Sequence, residues 1–162
     1  MFPGSYFCIM GIKEDIKQVR DFRNDYQMAA VNIIYTCNWM TEAFKQMLEP
    51  YDITHQQYNV LRILKGSYPE PISTLEIRSR MLDKMSDVSR MVDRLVLKEL
   101  VTKTPCPSDK RLVDVLLSEK GHALLQQMSV FDKEMDNQLN NLTPEEARHL
   151  SQLLDKIRAE KA

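Results

Sequence analysis

Lys84, Ser86, Asp87, Ser89, Arg90 and Arg94 crowd into one short stretch, KMSDVSRMVDR. None of them is paired with a partner of the kind that breaks bonds. Their chemistry is recognition. An arginine donates two hydrogen bonds to guanine, a carboxylate such as Asp87 accepts from cytosine N4, and serines suit bases or phosphates. Such side chains read DNA when they stand on the first turns of a helix laid in the major groove. The plainer reading is a solvated helix face, with Asp87, Arg90 and Arg94 at i,i+3 and i,i+4 spacing. Ser73 and Thr74 open a preceding short helix, whose first backbone N–H groups suit a phosphate, although a serine there is also an ordinary cap. Gln56 and Gln57 face a phosphate or only water. Lys103, Lys110 and Arg111 lie on a β-hairpin further on, where cations reach a phosphate backbone or a minor groove or simply aid solubility.

Charge is distributed unevenly in a way that favours the nucleic-acid reading. The net charge is −1, yet residues 62–111 hold eleven Lys and Arg against seven Asp and Glu. The remainder is acidic, so the basic middle is a footprint that the total conceals. Bond-making chemistry finds no support. Cys8, Cys37 and Cys106 are far apart with no CxxC, and His55, His122 and His149 are equally scattered. There is no HExxH, no GxSxG and no glycine-rich phosphate loop. The expectation is a non-enzyme without metal or cofactor. No segment approaches the roughly 18 apolar residues of a membrane span, and a cytoplasmic protein is expected. Residues 1–9 read as a loose tail.

The elements that must position these residues follow from periodicity and breakers. Residues 10–24 carry Ile12, Ile16 and Val19 at helical spacing. A long helix is predicted from Asp25 to Leu48, apolar nearly all round between Met28 and Tyr35, which fits either a partner chain or a central core helix. Pro50 ends it. Thr54 caps the next helix, which buries Tyr58, Leu61 and Ile63 or Leu64 and ends near Gly66. Tyr68 to Pro71 is an extended connector. Ser73 with Glu76 forms a capping box for a helix over Thr74–Met81. Leu82–Met85 is a turn, and Ser86–Glu99 a helix with Val88, Met91, Val92, Leu95 and Val96 on its apolar face. Leu100–Cys106 and Leu112–Leu117 form the hairpin. Ser118 caps one long helix, with a narrow seam through Leu124, Met128, Phe131, Met135, Leu139 and Leu142. Thr143, Pro144 and Glu146 start the last helix.

Short helix, turn, longer helix is a helix-turn-helix, and the hairpin makes it winged. The fold class is mainly α: a winged helix-turn-helix domain over residues 53–118, flanked by N- and C-terminal helices as a candidate dimerisation region. Residues 1–24 are the tail and first helical segment, 25–50 the N-terminal candidate dimerisation helix, and 119–162 the C-terminal ones.

Residues from about Gln27 to Leu154 resemble the MarR family of bacterial winged-helix regulators. STLEIRSRMLDKMSDVSRMVDRLVLKELV resembles the family's helix-turn-helix, including its VDRL. SDKRLVDVLLSEKG resembles its wing, an Asp-x-Arg followed by a strand and a helix start ending in Gly. The resemblance implies that Asp109 folds back onto an arginine of the recognition helix and braces the wing. It implies that Arg111 is the minor-groove finger, and that the terminal helices pair two chains. Two recognition helices would then meet the half-sites of a pseudo-palindromic double-stranded operator, about 34–36 Å apart. Two positions depart from the pattern. Leu82 and Glu99 stand where the family usually has Gly, so the end of the recognition helix is expected to close differently.

The resemblance also implies a small, often aromatic ligand, for which Tyr35, Trp39 and Tyr58 could line a pocket unless they are core. Cys37 reads as structural. Cys106, on the wing, reads as the more exposed thiol, where oxidation would disturb DNA binding. The function expected is a sequence-specific, homodimeric repressor released by a ligand. The alternative is a winged-helix protein-interaction module without DNA binding.

Overall fold

The computed structural model describes residues 11–106 and 113–159. The chain divides into two compact units, Met1–Phe44 and Lys45–Ala162. In the first, α1 is one turn, Ile12–Asp15, shorter than the periodicity of residues 10–24 suggests. Lys17 adopts a left-handed φ of 52°, which ends the helical run, and Val19 is exposed. α2 spans Asp25–Leu48 as predicted, and the boundary between the units falls in its last turn. Pro50 closes it through a 3-10 turn at Glu49–Tyr51.

The second unit holds a winged helix. α3 (His55–Ser67) starts from a full capping box: Thr54 Oγ1 accepts from the Gln57 backbone, and the Gln57 side chain accepts from the Thr54 backbone. Gln57 is therefore buried, not turned to phosphate or water. α3 buries Tyr58, Val60, Leu61 and Leu64, and Leu64 rather than Ile63 takes the last core position. β1 (Ile72–Ser73) is a two-residue strand directly after the Tyr68–Pro71 connector, where no strand was expected. α4 (Thr74–Arg80) follows directly, and Ser73 Oγ accepts from the Glu76 backbone at 3.1 Å. Only half of the expected box forms, because the Glu76 carboxylate pairs with Arg80 instead.

α5 runs Val88–Leu97, one turn shorter than the sequence pattern suggests, because Asp87 is its cap. The hairpin is β2 (Val101–Pro105) and β3 (Val113–Leu117), antiparallel with Val101 opposite Leu117 and Lys103 opposite Val115. β3 also pairs with β1, so the sheet has three strands in the order β1-β3-β2. The core lies between this sheet and the helices: Ile77 of α4, Val92 and Leu95 of α5, and Val115 of β3 are among its fully enclosed side chains.

The long C-terminal helix expected after Ser118 is two helices, α6 (Glu119–Gln127) and α7 (Val130–Gln138). The regular bonding pattern breaks at Ser129, whose N–H reaches back only three residues to Gln126. Leu125, which the seam omits, is buried with Met128 and Phe131. α8 (Pro144–Arg158) opens with the predicted Thr143–Glu146 capping box. The backbone N–H of Thr143 holds the Glu146 carboxyl below the usual carboxylate range. No described helix is long and apolar enough to cross a membrane.

Candidate nucleic-acid interface

α5 is positioned by its apolar stripe, with Val88, Val92 and Leu95 against α3 and α4, which turns its polar stripe outward. On that stripe Asp87, Ser89, Arg90 and Arg94 are all exposed. Asp87 is the N-cap: its Oδ1 accepts the Arg90 backbone N–H at 3.2 Å, which commits one of its two oxygens. Ser86 is half-buried and donates to Asp83 Oδ2 at 2.8 Å. Lys84 donates to the Ser79 carbonyl at 2.6 Å, which clips the turn to the end of α4.

The starts of α4 and α5 meet at an open groove of about 430 Å³, lined by Thr74, Arg78, Ser86 and Ser89 among others. Thus Thr74, Ser86, Asp87 and Ser89 share one surface, and Arg78, absent from the sequence reading, joins them. Its helical spacing from Thr74 was the available signal. Ion pairing sorts the cations of this region. Arg62, Arg80, Lys98, Lys103 and Lys120 are held by Asp132, Glu76, Asp52, Asp93 and Glu99. Arg78, Arg90 and Arg94, on the two helices of the helix-turn-helix, have no ion pair among the described residues. Unneutralised cations on an exposed surface are what a phosphate backbone meets most favourably.

The wing stem is tied to this surface. Lys103 on β2 pairs with Asp93 on α5, a brace that sequence reading did not anticipate. Asp109, Lys110 and Arg111 lie outside the described residues. Cys106 is buried, which corrects the expectation of an exposed thiol on the wing, whereas Cys37 is exposed.

The end of α5 also corrects an expectation. Glu99 takes φ 62° and closes the helix in the way a glycine would. Its N–H bonds the Val96 carbonyl at 2.8 Å, and the Leu100 N–H bonds the Leu95 carbonyl at 3.0 Å, with Leu95 and Leu100 both buried. That is a Schellman closure with a non-glycine in the left-handed position. The Glu99 carboxylate meets Lys120 at 2.7 Å, which holds its carboxyl below the usual range. Ser118 then donates its hydroxyl to the Glu99 carbonyl at 2.7 Å and its N–H to the Leu100 carbonyl at 3.1 Å. A Cβ at Gly121 would stand 2.2 Å from the Leu100 oxygen, so the glycine in the helix-start signature marks a close approach of α6 to α5.

The ligand-pocket candidates fall in both units and differ in burial. Tyr35 and Trp39 are exposed on α2. Tyr58 is buried, its ring 5.2 Å from that of Phe131 and its hydroxyl accepting from Arg62 at 3.0 Å.

The model of the MarR family matches residues 53–113, the winged helix just described. The multiple antibiotic resistance protein MarR of Escherichia coli (strain K12) is 33% identical over 114 residues, covering 69% of this chain and 78% of that protein. This chain belongs to the MarR family. A crystal structure of a mutant E. coli MarR complexed with operator DNA matches it with a TM-score of 0.69 at 31% identity, over 78% of this chain and 91% of that one. The MarR transcription factor of Planctomyces limnophilus matches with a TM-score of 0.65 at 29% identity, over 83% and 98%. Membership makes the chain a winged-helix transcriptional regulator and not an enzyme, with the mainly helical fold read from its sequence.

Proposed function

We propose that this MarR-family regulator is a cytoplasmic, homodimeric repressor that binds a pseudo-palindromic operator and is released by a small aromatic ligand. The observation that carries the reading is the exposed polar face of α5, where Ser89 lines the groove shared with α4, and Arg90 and Arg94 have no ion pair among the described residues. Laid in the major groove, Arg90 reads a guanine and the serines take base edges or phosphates. Thr74 at the start of α4 meets the flanking phosphates, together with Ser73 and Lys84. Lys110 and Arg111 at the wing tip extend the contact, with Asp109 as the brace. The second chain joins through the apolar faces of the terminal helices. A ligand that stacks on Tyr35 or Trp39, the exposed rings of α2, shifts the population toward a dimer whose half-site spacing no longer fits the operator.

The test is a titration of the protein into DNA from upstream of its own gene, and into sites selected from random DNA, with excess random competitor at several salt concentrations. Expected is binding that survives competitor and weakens steeply as salt rises. Arg90→Ala should relax sequence preference at one base pair by about 1–3 kcal/mol with the fold intact. Failure of every sequence to beat competitor at low salt would leave the winged helix as a protein-binding module.

A further inference from the structure

Leu75 is 63% exposed and Met85 92% exposed, and both line the groove between α4 and α5. Two large apolar side chains in water at a polar, cationic surface call for an occupant. Neither is placed there by slack. The Met85 N–H donates to Asp83 Oδ1 at 2.9 Å, Ser86 bonds the other oxygen of the same carboxylate, and the Leu82 N–H donates to Asn59 Oδ1 at 3.0 Å. The turn is pinned from both sides, so the backbone that presents Met85 to the groove is fixed.

Charge complementarity selects the occupant. Arg78 lines the same groove with the hydroxyls of Thr74, Ser86 and Ser89, Arg90 follows Ser89 on α5, and neither arginine has an ion pair among the described residues. A matching surface is anionic at its rim, rich in hydrogen-bonding edges, and carries small apolar knobs. The DNA major groove has all three, and its apolar knob is the 5-methyl group of thymine. We infer that Met85 and Leu75 form a methyl-binding notch that makes thymine a specificity determinant of each half-site, read by apolar contact and not by hydrogen bonds. Methionine suits the role, since its unbranched, polarisable chain adapts to the shape it meets. This inference rests on the DNA-binding reading above.

The test replaces each thymine of a selected operator, one position at a time, with uracil, which removes the methyl and keeps every hydrogen bond. Affinity is measured for the native chain and for Met85→Ala, with circular dichroism to verify the fold. Expected is one position per half-site where uracil weakens binding about fourfold, the effect of burying one methyl. Met85→Ala should bind thymine and uracil equally at that position while keeping the native salt slope. Uracil that is neutral everywhere, or discrimination that Met85→Ala retains, would overturn the notch while leaving DNA binding standing. If selection yields no operator at all, the DNA-binding reading falls and the notch falls with it.

Discussion

Val88, Val92 and Leu95 step along α5 by three or four residues and are buried. Leu150, Leu153 and Ile157 step the same way along α8 and remain 42%, 45% and 65% exposed. Both helices are amphipathic, and α8 has the stronger start, with a complete capping box and a proline at its first position. The difference lies in their neighbours. α5 is enclosed by α3, α4 and β2 of its own chain, so the DNA-reading head closes on itself. An apolar stripe in a sequence therefore announces that a face will be covered, and only the fold says whether the same chain covers it. Burying each leucine is worth roughly 1.5–3 kcal/mol, so the stripe on α8 is a strong drive toward a second surface.

That contrast can be broken at the head first. Gly121→Ala drives a Cβ into the Leu100 carbonyl and the Leu117 side chain. The expected loss is about 3 kcal/mol, an overpacking cost, or roughly 10 °C in melting temperature. Calorimetry showing an unshifted transition would mean that the approach of α6 to α5 is not tight.

It can next be broken at α8. Leu153→Glu should leave the head's circular dichroism and proteolytic resistance intact and cost about 2 kcal/mol of dimer affinity. Light scattering across a dilution series reads this directly. A dimer of native affinity would place the second surface elsewhere.

Two smaller effects sharpen the picture of a self-contained head. Glu99→Gly relieves a left-handed residue worth about 1 kcal/mol and gives up an exposed ion pair worth less, so urea midpoints should rise slightly. A fall would show that Lys120 holds the joint. The smallest effect is pH-dependent. Burial lowers the pKa of His55 from its ordinary 6.5. The unfolded chain then binds the proton first, so stability is complete above the ordinary value and declines as pH falls through it toward the folded-state value. His55→Gln should flatten the stability profile on the acid side of the ordinary histidine value. An identical profile would assign the acid sensitivity to another group.

Much of this architecture was legible because its signals are local. Thr54, Ser73 and Thr143 cap where their spacing to Gln57, Glu76 and Glu146 says they should, although Glu76 prefers Arg80 to the backbone. The winged order and the outward residues of α5 followed from periodicity alone. Tertiary effects were not legible. β1 is two residues long and exists only because β3 lies beside it. The break between α6 and α7 hides in an apolar pattern that continues through Met128 and Phe131 without a glycine or proline. Glu99 was read as forbidding a left-handed closure, yet Lys120 and Ser118, distant in sequence, support it there. The Lys103–Asp93 brace and the burial of Cys106 likewise depend on where a strand lands.

The seam between Leu100 and Gly121 has a mechanical consequence. With a carbonyl filling the space where a side chain would stand, and Ser118 fastening both sides, α6 cannot roll against the end of α5. The two helices work like a shaft and its blade. A torque applied to α6 is therefore passed to the end of α5 through Leu100 and Glu99.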